Sequence, residues 1–239
     1  MTKKKILLLG ASGLVAPHII GGLEQHYQLR LADIKPNPDG RPVRQVDVTD
    51  YHQVLEAARG MEAILNFTVN RGDPGLSFAV NVQGAHHVLR AAVELGIRKV
   101  VHTGPELVVP HYRHEFDIED APLRGGTGYY SYTKYMSLEL CKAYARIHGL
   151  QVIAFLFAGL APRPKAPLHE QELPPFTIVW EDLVEACRLA VDIEPVPGNY
   201  QYFNLHSHKG HGKFLLDKAE RILGYRPRTQ AGQLYRRPA

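Results

Sequence analysis

The sequence predicts an α/β fold, a doubly wound parallel sheet with a small C-terminal lobe packed on it. Three observations carry this. Short apolar runs alternate with amphipathic helical patterns from the first residues onward, the signature of parallel strands covered by helices on both faces. A glycine-rich turn joins the first run to the first helix, and an aspartate closes the second run. At 239 residues the chain has the length of one sizeable domain with an appended lobe.

Taken in order, strand patterns lie at residues 5–9, 28–33, 44–46, 63–67, 99–103 and 151–157, with helical patterns at 14–25, 51–58, 76–95 and 129–148 between them. The third helix is the clearest, because Phe78, Val82, Ala85, Leu89 and Ala92 fall on one stripe at helical spacing. Gly96 and Gly149 stop two of the helices. The texture changes after about residue 158. Residues 161–175 are rich in proline and charge and read as a long loop, a type that is often functional. A strand at 176–179, a helix at 181–191, a strand near 200–205 and a helix at 213–223 follow, without repeats or low-complexity segments.

Composition narrows the function classes. With 45% hydrophobic and 22% charged residues the chain reads as an ordinary soluble globule. Its longest apolar run, 152–161, contains a glycine and falls well short of the ~20 residues that cross a bilayer. The formal charge of +4 is dispersed over 3–5, 41–44 and 226–237, which argues for a solvated surface rather than a nucleic-acid partner. The lysine-rich start before Ile6 mimics a signal peptide, but Gly10 and Gly13 break the apolar stretch early. Cys141 and Cys187 have no C-x-x-C spacing and fit reduced thiols in a cytoplasmic protein.

Two motifs carry chemistry. Gly10-Ala-Ser-Gly13-Leu-Val-Ala16 stands between a strand and a helix, where glycines let the backbone approach a pyrophosphate and the helix start stabilises its charge. Asp33 ends the next strand, 23 residues after Gly10, where an acid accepts hydrogen bonds from an adenosine ribose. Tyr130-Ser-Tyr-Thr-Lys134 lies on a predicted helix. Spacing i, i+4 puts phenol and ammonium on one face, and a nearby cation favours the phenolate needed for acid–base work.

With these motifs in this order, the chain resembles the extended short-chain dehydrogenases/reductases, the branch of NAD-dependent epimerases and dehydratases. Gly10-x-x-Gly13-x-x-Ala16, which includes Ser12 and Leu14, resembles the cofactor loop. Asp33 stands in the place of the NAD-selecting acid, Asp47-Val48 resembles the adenine-contacting pair, and Asn66–Val69, with Phe67 and Thr68, the cofactor-lining segment. Asn81-Val-Gln-Gly84, Tyr130-x-x-x-Lys134, Val179-Trp-Glu-Asp182 and Leu223-Gly-Tyr-Arg-Pro227 resemble later signatures, so the likeness covers almost the whole chain. It implies a Rossmann-type NAD-binding domain at 1–160, a substrate-binding lobe at 161–239 and NAD as the cofactor. It also implies a homodimer through helices 76–95 and 129–148. In this reading Tyr130 moves the substrate proton, Lys134 holds the nicotinamide ribose and lowers the tyrosine pKa, and a hydroxyl at the end of the fifth strand bonds the reacting oxygen.

Two departures from the family pattern matter. The paired Ser/Thr residues are replaced by Val101-His102-Thr103-Gly104-Pro105-Glu106, so either Thr103 fills the catalytic slot or the slot falls on Gly104 and lacks a hydroxyl. Losing such a donor costs about 10²–10³ in rate. The Arg-Pro segment after the sixth strand is replaced by Phe155-Leu-Phe-Ala-Gly159, which leaves Arg163 or Lys165 to meet a substrate anion. The compact C-terminal part is similar to that of uronate dehydrogenases, and the expected substrate is a sugar or sugar acid. A non-catalytic dinucleotide-binding sensor or scaffold on the same fold is the rival reading.

The chain has 13 histidines. His206-x-His208-x-x-His211 suggests a metal site, but hydrogen-bonded histidines near a polar pocket are the commoner outcome, and no metal is expected. His102 reads as a buried, backbone-bonded ring, and Tyr129, Tyr132 and Tyr135 as packing or dimer-face residues.

Overall fold

The computed structural model describes residues 2–106, 117–163, 177–209 and 212–228. Seven parallel strands form one sheet in the order β3-β2-β1-β4-β5-β6-β9. They are β1 (Lys5–Leu9), β2 (Gln28–Asp33), β3 (Arg44–Gln45), β4 (Ala63–Asn66), β5 (Lys99–Pro105), β6 (Gln151–Phe157) and β9 (Tyr200–Asn204). Alternate residues of β1 divide between two cores. Ile6 and Leu8 join a cluster with α1 (Ala16–Glu24) and α6 (Trp180–Asp192). Leu7 and Leu9 join one with α2 (Tyr51–Ala58), α4 (Ala85–Glu94) and α5 (Tyr129–His148). Burial on both faces is why β1 reads as an unbroken apolar run.

The strand order reverses beside β1, which lies between β2 and β4. This is the switch point at which such sheets open a crevice at the carboxyl ends of their strands. Gly10 leaves β1 there with φ +81°, and a Cβ on it would lie 2.7 Å from the Phe67 carbonyl carbon. Only glycine satisfies both constraints. Within one layer, helices α1 and α6 also approach closely. A Cβ on Gly22 of α1 would lie 2.8 Å from a Val184 methyl carbon of α6, and the His18 ring stacks on Trp180 at 4.4 Å.

Three details differ from the sequence expectations. The helix expected at 76–95 begins as α3 (Pro74–Ser77), widens to a π-helical segment at Phe78–Gly84 and continues as α4. The widening turns Asn81 and Gly84 inward and leaves Phe78, expected on the buried stripe, 43% exposed. The helix expected from 213 begins only at 217, because Ile118 pairs with the 213–215 backbone. The expected loop opens as β7 (Gly159–Ala161), paired with β8 (Thr177–Val179) in a second small sheet, while 164–176 lie outside the described residues. From beyond residue 160, β9 joins the main sheet and α6 joins the layer of α1.

Replacing Gly22 by Val forces α1 and α6 apart. An expected loss of about 1–3 kcal/mol is read from the urea midpoint at unchanged m-value.

Candidate active site

The site forms where the carboxyl ends of β1, β4 and β5 meet the first turns of α1 and α5. No side chain caps α1; Pro17 in its first turn has no N–H and His18 donates its own to the Val15 carbonyl at 3.2 Å, so part of the anion-binding capacity of a helix start is left at the glycine turn. Gly13 donates its N–H to the Gly10 carbonyl at 3.1 Å, closing that turn, while Leu14 projects into solvent at 79% exposure. Asp33 tightens the turn further. One carboxylate oxygen accepts from the Ser12 N–H at 2.9 Å and the other from the Lys35 N–H at 3.0 Å, and the Ser12 hydroxyl donates to the Lys35 carbonyl at 2.9 Å.

The other residues of the cofactor motifs line the same edge. Phe67 is buried and donates its N–H to the Leu9 carbonyl at 3.0 Å. Thr68 donates its hydroxyl to Asn66 Oδ1 at 2.7 Å. Asp47 is engaged in its own turn, where Oδ1 accepts from the N–H and hydroxyl of Thr49 at 2.9 and 2.7 Å. Val48 is buried against Gly84, where a Cβ would come within 2.8 Å of it. Asn81 does structural work: its amide brackets Asn70, accepting from the Asn70 N–H and donating to the Asn70 carbonyl, both at 2.9 Å, and it donates to Thr133 Oγ1 at 3.0 Å.

Helix α5 brings Tyr130 and Lys134 to this edge. Its inward stripe is polar in the first half, at Thr133, Lys134 and Ser137, and apolar in the second, at Leu138, Cys141 and Ala145. Lys134 is buried, and its ammonium has no hydrogen-bond partner among the described residues. Burial lowers its pKa to about 8, with the Arg71 charge acting the same way and Cys141 opposing. Burial also raises the Tyr130 pKa, and the cation that opposes this is Arg71, whose guanidinium carbon lies 5.1 Å from the ring centroid. Sequence reasoning gave that role to Lys134 and missed Arg71, which stands two residues beyond the segment it singled out.

A buried chain of hydrogen bonds lies beneath Lys134. The Asn66 amide meets His102 Nδ1 at 3.3 Å, His102 Nε2 meets Ser137 Oγ at 2.9 Å, and Ser137 donates to the Lys134 carbonyl at 2.7 Å. Since Asn66 Oδ1 already accepts from Thr68, the Asn66 amide is the donor, and His102 is neutral with its proton on Nε2. Burial, with the Lys134 charge, holds the His102 pKa well below its usual value. The ring is therefore buried as expected, but it is bonded to side chains of β4 and α5 rather than to backbone. It ties the Lys134 turn to the sheet.

The fifth strand resolves part of the Thr103/Gly104 alternative. A Cβ on Gly104 would point into the core, 3.0 Å from Leu156 and 3.3 Å from Leu138, so glycine there removes no group from the crevice. Thr103 is buried and its hydroxyl lies 3.4 Å from the Asn66 carbonyl, a long contact within the sheet. Among the described residues, no group of three His, Cys, Asp or Glu side chains could hold a metal ion. His206 instead meets Glu106 at 2.7 Å, and His211, His111, His114, His169 and Lys165 lie outside the described residues. Arg163 is exposed. Among the described residues, no helix is long and apolar enough to cross a membrane.

Comparison with known proteins places this geometry in context. The description "NAD dependent epimerase/dehydratase family" matches residues 6–169. An NAD-dependent glucose-6-phosphate dehydrogenase from Haloferax volcanii is 23% identical, over 95% of this chain and 94% of that one. A uronate dehydrogenase from Pseudomonas putida is 24% identical, over 67% of this chain and 63% of that one. The structure of uronate dehydrogenase from Agrobacterium tumefaciens superposes with a TM-score of 0.80 at 18% identity, covering 96% of this chain and 86% of that one.

The buried ammonium has a measurable consequence. Because the folded pKa of Lys134 is lowered from 10.5 to about 8, the unfolded chain binds more protons between these values, and stability rises with pH across that window. Lys134→Met is expected to lack this rise and to be more stable than the parent at pH 7 by about 1–3 kcal/mol. Denaturant unfolding of both proteins from pH 7 to 10.5 reads the difference.

Proposed function

The chain belongs to the NAD-dependent epimerase/dehydratase family, and on that premise we propose that it oxidises a sugar or sugar acid by hydride transfer to NAD, with Tyr130 and Lys134 as its acid–base pair. The observation that carries this reading is the Lys134 ammonium, buried without a partner one helical turn from Tyr130. A charge held this way is costly to the fold, and hydroxyls of a bound ribose would satisfy it.

The residues present fit the cofactor. Gly10, Gly13 and the uncapped start of α1 would hold its diphosphate, Asp33 the adenosine ribose and Lys134 the nicotinamide ribose. NAD, when bound, supplies the hydride acceptor. Tyr130 takes the proton of the substrate hydroxyl while the C–H electron pair leaves as hydride, so the alcohol becomes a carbonyl and the proton resides on the phenol. Burial disfavours the phenolate that must start this step, and Arg71 opposes that effect. The names of two relatives, a glucose-6-phosphate dehydrogenase and a uronate dehydrogenase, support the sugar class. The rival reading, a sensor that has lost the chemistry, drew its support from Gly104, whose side-chain position lies in the core.

Two further features belong to this reading. Pairing of two copies through helices 76–95 and 129–148 would place exposed Phe78 and Ile147 on the pairing helices, and sedimentation showing only monomer at micromolar protein would contradict it. Buried, unpaired Cys141 and Cys187 fit a cytoplasmic location, which a fluorescent fusion reads directly.

Purified protein supplied with NAD and a panel of free sugars and sugar acids is expected to form NADH with at least one of them. Tyr130→Phe should lower kcat by roughly 10²–10⁴ while NAD still binds. Unchanged turnover in that variant, or silence across the panel with NAD bound, contradicts the proposal.

A further inference from the structure

Arg71 is an exposed arginine at the reacting centre, and the mechanism above uses only its effect on the phenol. Its guanidinium lies against the Tyr130 ring, 5.1 Å from the centroid to its carbon, and no carboxylate pairs with it among the described residues. Ten other lysine and arginine side chains there do have such partners, from Lys4 to Arg228. An arginine left unpaired beside a catalytic phenol presents a planar fork of donors to whatever enters the crevice.

The backbone that carries Arg71 is fixed on both sides. Asn81 brackets Asn70 through both its amide groups. Asn70 Oδ1 in turn accepts from the N–H groups of Gly72 at 3.1 Å and Asp73 at 3.2 Å. The Tyr129 hydroxyl donates to the Arg71 carbonyl at 3.2 Å, and Asn81 is itself bonded to Thr133. Tyr129, Thr133 and Tyr130 all belong to α5, so the helix that positions the phenol also positions the arginine beside it.

We propose that Arg71 selects the substrate: it pairs with a carboxylate or phosphate carried by the sugar and so draws the neighbouring hydroxyl to Tyr130. This rests on the reading that Tyr130 handles the substrate proton. It also accounts for the missing arginine after the sixth strand, since Phe155-Leu-Phe-Ala-Gly159 offers an anion no charge. An anion on Arg71 offsets the charge that favours the phenolate. The acidic limb, where rate is lost as Tyr130 is protonated, therefore lies at higher pH in kcat than in kcat/KM, a separation that an arginine with a merely structural role would not produce.

The test measures binding of glucuronate, glucose 6-phosphate and uncharged glucose by calorimetry, with the protein saturated by NADH so that no turnover occurs. At least one anionic sugar is expected to bind the parent protein, at least about tenfold tighter than glucose. Arg71→Gln is expected to lose that preference, and Arg71→Lys to retain part of it. Which anion responds distinguishes a carboxylate from a phosphate. Binding of neither anion, or anion affinity unchanged in Arg71→Gln, overturns the proposal. Arg71-dependent binding without NADH formation from the same sugar and NAD would sustain it while overturning the dehydrogenase reading.

Discussion

A lysine ammonium buried at the top of the sheet sets the terms for the rest of this structure. Placing a charge in a dry interior is unfavourable unless it is paired, and the Lys134 ammonium has no partner among the described residues. The fold tolerates it through rigidity around it. Ser137 fixes its carbonyl, His102 fixes Ser137, and Asn66 fixes His102. That chain runs from the end of β4 through β5 to α5, so the lysine is held by three elements whose apolar cores lie below. Charge in the pocket is then available to a ligand instead of being neutralised by the protein.

The crevice in which the lysine waits follows from strand order. Because β1 lies between β2 and β4, the turn after Gly10 and the segment at Phe67 emerge side by side. They come so close that a Cβ on Gly10 would collide with backbone. The π-helical segment at Phe78–Gly84 contributes from the other side by directing Asn81 at the loop that carries Arg71. Two cations thus belong to this edge, Arg71 from the loop against the Tyr130 ring and Lys134 one turn along α5 from Tyr130. Burial acts against both charged forms that the chemistry needs, the ammonium and the phenolate. The Arg71 charge counters this for the phenolate and adds to it for the ammonium.

What the sequence made legible was local. The ends of β1, β2, α2, α5 and β6 coincide with the apolar periods and their breakers, and the glycine turn, Asp33, Tyr130 and Lys134 stand in recognisable spacing. What it concealed was non-local. Residues 213–215 look helical in isolation, yet they pair with Ile118 nearly a hundred positions away. His102 looks like a ring seeking backbone, whereas its partners lie on another strand and a later helix. Arg71 sits in a loop without periodicity, and its proximity to Tyr130 exists only after β4 and α5 have packed. Phe78 was misplaced because a single wide turn rotates the stripe that a regular helix would present.

If the unpartnered Lys134 ammonium is a place prepared for the cofactor, removing it must weaken cofactor binding. The most direct measurement compares the rise in melting temperature caused by saturating NADH in the parent protein and in Lys134→Met. A ligand that binds the folded state stabilises it in proportion to the logarithm of its occupancy. A clear rise is expected in the parent and a much smaller one in Lys134→Met at the same NADH concentration. Equal rises in the two proteins would mean that the ammonium is not held for the cofactor.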